Sequence, residues 1–178
     1  MAVAAPTASS GKVIIRNIGL LLSGDIDQPI LEADTIVVQD SATVNKVEGA
    51  GGADTISILG NASVTGDVLG GGDGLDMSAA EDGADTIVIN TTGSIGGKID
   101  GGLGNDLMWG GADADHMVGG EGHDWIYGED GRDYLLGGGG NDRLYGGGNN
   151  DVLDGGAGAD ILEGALGDDR LDGKAGND

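Results

Sequence analysis

The sequence predicts an all-β solenoid, and three regularities along the chain support this prediction. A nine-residue period runs from Gly101 to the end of the chain, and looser copies of it lie upstream. One column of the repeat holds a large apolar residue, a second column holds aspartate, and several others hold glycine. A fixed short period is the signature of stacked coils, because one repeat cannot bury its apolar side chain without its neighbours.

The nine-residue register is regular over residues 101–178 and looser over residues 49–88. The regular part opens with GGLGNDLMW and GGADADHMV, and the looser copies are GAGGADTIS, GGDGLDMSA and AEDGADTIV. Position 8 is large and apolar in ten of the eleven complete copies, with Ser78 as the exception. We expect positions 7 to 9 to form a short strand whose alternation points position 8 inward and positions 7 and 9 outward. Two repeats would then close one coil of 18 residues.

The turn columns are as regular as the strand column. Position 4 is glycine in ten of the twelve copies and is replaced only by Asp113 and Asn149. Asp and Asn are the residues other than glycine that best tolerate left-handed backbone angles, so position 4 is predicted to have a positive φ. Position 6 is aspartate in every copy, namely Asp54, Asp76, Asp85, Asp106, Asp115, Asp124, Asp133, Asp142, Asp151, Asp160, Asp169 and Asp178.

The composition excludes several classes of protein. The chain has 40 Gly, 31 Asp or Glu, 8 Lys or Arg, no Cys and a net charge of −23. Without a counter-charge, such a chain is typical of a disordered polymer, and disulfide bonds cannot stabilise it. Nucleic acid is excluded as a partner, since phosphate binding needs clustered Lys and Arg. The longest apolar stretches, such as Ile18–Leu22, are too short to form a transmembrane segment.

The column of aspartates predicts a bound cation. Equal charges stacked at coil spacing repel one another by roughly 1 to 4 kcal/mol per pair. Glycine-rich turns also point backbone carbonyls into their concave side, and the column contains neither His nor Cys. An all-oxygen site of this kind suits Ca²⁺, which accepts six to eight oxygen ligands in a flexible geometry. The alternative is that GGxGxD encodes turns alone, since Gly and Asp are turn residues.

These columns closely resemble the repeats-in-toxin (RTX) haemolysin-type family of calcium-binding nonapeptide repeats. The resemblance implies a right-handed parallel β-roll with each ion between one turn and the turn two repeats later, held by the position-6 Asp side chains and by turn carbonyls. Asp106 would then share an ion with the turn at residues 119–124, and the regular part would bind about seven ions. The implied turn glycines are Gly101, Gly104, Gly110, Gly119, Gly122, Gly128, Gly131, Gly137, Gly140, Gly146, Gly155, Gly158, Gly164 and Gly167.

Some repeats depart from the family pattern. Glu81, Glu129, Ala165 and Lys174 replace the second glycine, and Ala80 replaces the first. We expect weaker sites at these turns, above all at Lys174. The family also implies type I secretion guided by a C-terminal signal, which is not visible in this sequence.

The N-terminal half predicts wider coils of the same solenoid. Ala-Asp-Thr-Ile recurs at residues 33–36, 53–56 and 84–87, and a second apolar segment follows each copy. Alternation and β-branched residues in these segments favour strands. Val13–Leu22 is expected to cover the open end of the solenoid. The predicted organisation is a disordered N-terminus (residues 1–11), a wide-coil solenoid (12–100) and a regular β-roll (101–178) that continues it.

Few other residues suggest chemistry, and no catalytic residue is assigned. His116 and His123 lie in no zinc-protease motif and are expected to be solvated surface residues. With 18-residue coils, Trp109, Tyr127 and Tyr145 would form an aromatic strip with Trp125 beside it. This strip would either stiffen the sheet by cross-strand stacking or dock a glycan or a neighbouring domain.

Three functions are consistent with the sequence. The first is a calcium-binding RTX module of a secreted protein, which is not an enzyme and folds on binding calcium outside the cell. The second is a structural or adhesive segment of a surface layer or adhesin on the bacterial cell surface. The third is an auxiliary module of a secreted polysaccharide-modifying enzyme or protease.

Overall fold

The computed structural model describes residues 12–16, 35–39, 43–44, 47–48, 53, 55–60, 63–66, 68–69, 83–91 and 95–178. Residues 1–11, the predicted ligands Asp54 and Asp76, and the substituted positions Ala80 and Glu81 lie outside the described residues. Among the described residues, no helix is long and apolar enough to cross a membrane.

The described residues form short β-strands separated by turns. The strands are β1 (Lys12–Arg16), β2 (Thr35–Gln39), β3 (Thr43–Val44), β4 (Val47–Glu48), β5 (Thr55–Gly60), β6 (Ser63–Val64), β7 (Val68–Leu69), β8 (Thr86–Thr91), β9 (Ile99–Leu103), β10 (Leu107–Gly111), β11 (His116–Glu121), β12 (Trp125–Asp130), β13 (Tyr134–Gly139), β14 (Arg143–Gly148), β15 (Val152–Gly158), β16 (Ile161–Leu166), β17 (Arg170–Asp172) and β18 (Ala175–Gly176).

Two long parallel sheets face each other. The first sheet has the order β1-β2-β5-β8-β10-β12-β14-β16, and the second has the order β17-β15-β13-β11-β9-β7-β4, with β18 also paired to β15. Successive strands of the regular part therefore alternate between the sheets, as a chain that winds in coils requires. The prediction of an all-β parallel solenoid is confirmed, with about six turns.

The predicted 18-residue coil is confirmed in the regular part. Met108 pairs with Ile126 and Ile126 with Leu144, and each of these residues occupies position 8. Earlier coils are longer, since Ile36 pairs with Ile56 and Ile56 pairs with Ile87. Both kinds of coil contribute strands to the same two sheets.

The wider coils have a third side that the sequence did not predict. Their second apolar segment bends and forms two short strands instead of one. The first of these strands pairs in a small separate sheet, β3 with β6, and Val64 bridges to Ile95 in parallel. The second strand joins the second long sheet as β4, β7 or β9.

A column of apolar side chains fills the space between the sheets. Position 8 is fully buried from Met108 to Leu153, so the predicted inward orientation is confirmed for these repeats. Towards the C-terminal end, Leu162 is half-buried and Leu171 is 45% exposed, because fewer coils cover them. β1 pairs with β2 as a further strand of the first sheet, and residues 17–22 of the expected cap lie outside the described residues.

Candidate calcium sites

The position-6 aspartates are buried in the interior of the turns. Aspartate is seldom buried without a partner, because removing its charge from water costs several kcal/mol. In this chain the side chain of Asp124 is completely buried, although no basic residue pairs with it in the described part of the chain. The buried members of the column are Asp85, Asp106, Asp115, Asp124, Asp133, Asp142, Asp151 and Asp160, whereas Asp169 is half-buried and Asp178 is exposed.

From Asp106 onwards, Oδ1 of each position-6 aspartate except Asp115 accepts a hydrogen bond from the backbone of the preceding coil. The backbone N–H of Asp106 donates to Oδ1 of Asp124 at 2.8 Å, and the N–H of Asp124 donates to Oδ1 of Asp142 at 2.9 Å. The same bond recurs on the opposite edge, where the N–H of Asp115 donates to Oδ1 of Asp133 at 2.9 Å. This bond, which the repeat pattern does not predict, holds consecutive coils in register without any ion.

The other oxygen has no such partner. Oδ2 of each of six aspartates is buried and accepts no hydrogen bond in the described part of the chain. A buried acceptor left without a donor costs about 1–3 kcal/mol, and more when it is charged. A bound cation would remove this cost. The six residues are Asp115, Asp124, Asp133, Asp142, Asp151 and Asp160.

For five of these six aspartates, all but Asp160, a carbonyl oxygen from the following coil lies close to Oδ2 beside the first glycine of the turn. A Cβ atom added to Gly110 would lie 2.5 Å from Oδ2 of Asp115 and 2.9 Å from the carbonyl oxygen of Gly128. Glycine at position 1 therefore leaves a space that two oxygens from different coils border. The same pairing of oxygens occurs in the described chain at Gly101, Gly119, Gly128, Gly137 and Gly146.

The ligands available to a cation between the turns are all oxygens, and many of them are backbone carbonyls. Among the residues that the structure describes, no three His, Cys, Asp or Glu side chains lie together as a metal-binding group. A cation between two turns would therefore be bound by one or two carboxylates together with backbone carbonyls. Such a set suits Ca²⁺ better than Mg²⁺, which demands a closer octahedral arrangement, or Zn²⁺, which prefers nitrogen and sulfur.

Burial shifts the titration of these carboxylates. Burial is the largest cause that raises the pKa of Asp115 to about 7 and the pKa of Asp124 and Asp133 to about 6. The N–H from the preceding coil lowers the pKa of Asp124 and Asp133, and the carboxylates of neighbouring coils raise it. Without a cation, the column therefore holds its negative charges at a free-energy cost.

Two turn columns have left-handed backbone angles, and the sequence predicted only one of them. The prediction for position 4 is confirmed at Asn149 (φ 76°) and at most of the glycines, such as Gly104 and Gly122, but it is wrong at Asp113, whose φ is not positive. Position 2 also has positive φ, including at its substituted residues, which are Glu129 (76°), Ala165 (69°) and Lys174 (66°). These three substitutions therefore keep the left-handed turn.

Lys174 also makes ion pairs. Its ammonium group lies 2.7 Å from a carboxylate oxygen of Asp172 and 3.3 Å from one of Asp154. The weaker calcium site expected at this turn stays a prediction.

A second ladder of hydrogen bonds follows position 5. The N–H of His123 donates to Oδ1 of Asn105, the N–H of Asn141 donates to Nδ1 of His123, and the N–H of Ala159 donates to Oδ1 of Asn141, all at 2.7–2.8 Å. His123 is exposed as predicted, but it also accepts a hydrogen bond from the next coil. The signal in the sequence was an acceptor side chain at position 5 of every second repeat.

The aromatic side chains stack along the outer face of the first sheet. The rings of Trp109 and Tyr127 are 5.6 Å apart and those of Tyr127 and Tyr145 are 4.8 Å apart, with interplanar angles of 10° and 5°. The guanidinium of Arg143 lies 4.6 Å from the ring centre of Trp125. The stacked faces of Trp109, Tyr127 and Tyr145 thus contact one another, as cross-strand stiffening requires. Docking of a glycan or a domain on this strip stays a prediction.

Comparison with known proteins identifies the repeat. A family model, the RTX calcium-binding nonapeptide repeat, matches residues 96–126, 109–144, 118–153 and 145–178. An enamidase of Eubacterium barkeri is 43% identical over 53 residues, which are 30% of this chain and 13% of the enamidase. No solved structure matches the chain. The matched repeat is a structural calcium-binding unit without a catalytic role. Residues 96–178 therefore belong to the RTX family of calcium-binding nonapeptide repeats.

Proposed function

We propose that the chain is a calcium-dependent folding module of a secreted protein, and that calcium ions between its coils complete the fold. The observation that carries this proposal is the set of six buried Oδ2 atoms, from Asp115 to Asp160, that accept no hydrogen bond from the residues that the structure describes. Each of these atoms lies beside the first glycine of its own turn. In all of these turns except that of Asp160, a carbonyl oxygen of the next coil lies on the other side of the same space. An oxygen-seeking cation in this space would satisfy both coils at once.

The residues that would hold calcium are the position-6 aspartates and the turn glycines of neighbouring coils. In most turns, though not at Asp115, Oδ1 accepts a hydrogen bond from the backbone of the preceding coil and fixes the side chain, which leaves Oδ2 for the cation. Position 1 must be glycine, since any Cβ there would occupy the space between the oxygens. When bound, calcium would supply the positive charge that the column lacks.

Charge and glycine content favour coupling between calcium and folding. With a net charge of −23, the compact chain repels itself, and its 40 glycines lose much backbone freedom on folding. Binding to the folded state alone shifts the equilibrium towards that state by mass action. The chain would therefore stay unfolded where calcium is scarce and fold where it is abundant.

This coupling suits a protein that leaves the cell. We infer an extracellular or cell-surface location, with calcium affinities in the range of roughly 10⁻⁴ to 10⁻³ M that is usual for extracellular modules. Export in the unfolded state, as in type I secretion, would precede folding. On the same proposal, residues 12–100 and 101–178 form one continuous solenoid, because strands of both parts belong to the same sheets.

Circular dichroism tests the proposal. The chain is titrated with calcium from a chelator-containing buffer, and magnesium at equal ionic strength serves as the control for screening of charge. We expect a spectrum of unfolded chain in chelator and a cooperative gain of β-structure in millimolar calcium, with little gain in magnesium. A spectrum that is the same in chelator and in calcium would contradict the proposal.

A further inference from the structure

The Trp and Tyr residues of this chain lie outside the core. The chain has two Trp, three Tyr and no Phe, whereas the apolar side chains buried in the described residues are Ile, Val, Leu and Met. Aromatic side chains ordinarily supply much of the energy of a core. Tyr134 lies on the outer face of the second sheet, and the other four lie together on the outer face of the first sheet. These four are Trp109, Trp125, Tyr127 and Tyr145.

Cross-strand stacking accounts for only part of this cluster. Tyr127 stacks on both Trp109 and Tyr145, and contacts of this kind stiffen the sheet. Trp125 stands in the neighbouring column of the same face, and 42% of it is exposed. The guanidinium of Arg143 lies 4.6 Å from its ring centre and holds the ring in place. The face therefore keeps aromatic surface in contact with solvent.

The stacked rings also leave part of their faces uncovered. The ring centroids of Trp109 and Tyr127 are 5.6 Å apart and those of Tyr127 and Tyr145 are 4.8 Å apart, and the rings are nearly parallel. Carbon atoms in contact lie about 3.5–4.0 Å apart. Rings whose centroids are farther apart than this are displaced sideways, which is the arrangement that offset stacking favours. Each ring therefore covers only part of the next one.

The face is nearly uncharged, although the chain is strongly anionic. Positions 7 and 9 of β10, β12, β14 and β16 place eight side chains on it, of which only Arg143 and Glu163 are charged. An anionic ligand would gain little from one arginine and would be repelled by the net charge of −23. A cationic ligand would favour the acidic turns instead. The face is therefore suited to a neutral ligand.

The face is too small for a stable protein interface. Four strands about 5 Å apart give it a length of about 15 Å, and it is two side chains wide. Stable protein interfaces take about 20–30 residues from each partner. The backbone groups of these strands pair with neighbouring strands, so a peptide cannot add to this face as a further strand. These dimensions suit a narrow, extended ligand that lies along the axis of the solenoid.

We propose that this aromatic face binds a neutral, extended polysaccharide of β-linked pyranose units along the axis of the solenoid. The ring-to-ring steps of 5.6 Å and 4.8 Å each approximate the length of one pyranose unit in such a chain. Consecutive sugars would place their C–H groups on consecutive rings, whose electron-rich faces attract them. The inference goes beyond the proposed function, since it needs the folded solenoid but none of the calcium ligands.

The fluorescence of Trp109 and Trp125 tests the proposal directly, because the chain has no other Trp. The folded chain in calcium is titrated with cellotetraose and with chitotetraose, which are neutral and extended. Maltotetraose, whose α-linkages curve the chain, is the control for shape. We expect a saturable change in emission with at least one extended sugar and none with maltotetraose. No saturable change with either extended sugar, or an equal change with maltotetraose, would overturn the inference.

Tyr127→Ala and Tyr134→Ala compare the two sheets. Each removes an outward-facing Tyr ring that contacts a neighbouring aromatic ring, but only Tyr127 lies on the proposed face. Calorimetric titration with the extended sugar should show binding weakened roughly fivefold to tenfold in Tyr127→Ala and less than about twofold in Tyr134→Ala. Equal weakening in the two variants would overturn the inference.

A second variant at the same position separates the ring from the hydroxyl group. Tyr127→Phe keeps the stacked ring and is expected to fold, so it should bind the sugar more tightly than Tyr127→Ala does. Binding by Tyr127→Phe that is as weak as that of Tyr127→Ala would show that the ring does not hold the sugar, and would overturn the inference.

A second copy of the chain is the alternative occupant of this face. In that case the Trp emission would change with protein concentration in the absence of sugar, which would overturn the inference. Circular dichroism in the same buffers separates this test from that of the proposed function. A folded chain that binds neither extended sugar would overturn the inference alone. A chain that is equally folded in chelator and in calcium would contradict the proposed function, and the sugar titration would still test the inference.

Discussion

Replacing Asp124 by Asn distinguishes the role of Oδ1, which binds the preceding coil, from the role proposed for Oδ2, which is to bind a cation. The side chain of Asn keeps Oδ1, which accepts the N–H of Asp106 at 2.8 Å, and replaces Oδ2 by an amide that cannot bind a cation. The carbonyl oxygen of Gly137 borders the same space and is available as an acceptor for the new amide. The substitution therefore removes the buried charge and the cation ligand while it preserves the bond between the coils.

The expected change in the free energy of unfolding has opposite signs in chelator and in calcium. The pKa of Asp124 rises from its ordinary value of 3.8 to about 6, mainly through burial. Since one pKa unit corresponds to about 1.4 kcal/mol, the ionised carboxylate costs the ion-free fold about 2 kcal/mol at pH 7 after solvent screening is allowed for. Asp124→Asn should recover about this much stability in chelator. In calcium it should lose stability, since the ion loses a charged ligand.

Urea unfolding followed by circular dichroism measures both effects. The chelator series contains a stabilising osmolyte such as sucrose, so that the ion-free folded state is populated. Asp168→Asn is the control, since Asp168 is an exposed acid at position 5 of another turn. A variant that is less stable than the original chain in both chelator and calcium would refute the assignment of Oδ2 as a cation ligand.

The core, the turns and the buried acids give three further predictions. Leu144→Ala should lower the free energy of unfolding in calcium by about 3 kcal/mol, and Leu162→Ala by clearly less, because only Leu144 is fully buried; urea titrations compare the two. Ala165→Gly should raise the midpoint of urea unfolding by an amount equivalent to about 1 kcal/mol, since Ala165 has φ 69°; an unchanged midpoint would show that this turn is unstrained. In chelator, the folded fraction should rise on acidification from pH 7 to pH 5, because burial raises the pKa of Asp115 and Asp133 above 3.8 and the folded state then binds more protons than the unfolded state; circular dichroism that shows less structure at pH 5 would contradict this sign.

The regular half of the fold could be predicted because each position of the repeat occurs many times in the same structural environment. A column that tolerates only large apolar residues must face the interior, and the burial of Met108 and Leu144 confirms this prediction. The paired positions Trp109 and Tyr127 likewise followed from the 18-residue coil alone.

The wider coils could be predicted only in part, because their lengths vary. The second apolar segment of each was visible in the sequence, but its bend into two strands was not. Val64 and Val68 belong to different sheets although only three residues separate them. Short β-branched runs favour strands without showing where a coil turns its corner.

Some hydrogen bonds and backbone angles of the site could not be predicted from the sequence, for a different reason. Aspartate at position 6 suggested an ion ligand. The residue type at one position of a repeat cannot show, however, that Oδ1 of Asp133 accepts the N–H of Asp115. It also cannot show that position 2 has a left-handed backbone, since Glu129 and Ala165 at that position do not favour positive φ. Both features depend on contacts between coils rather than on local preference.

The most direct test of the central claim is a crystal structure of the chain grown in calcium, with anomalous scattering collected to locate the ions. The claim is that cations join neighbouring coils at the buried Oδ2 atoms. It predicts two rows of anomalous peaks, one along each edge of the solenoid, beside glycines such as Gly110 and Gly119. A well-ordered solenoid without such peaks, in which Oδ2 of Asp124 and its equivalents bind water or carry protons instead, would contradict the claim.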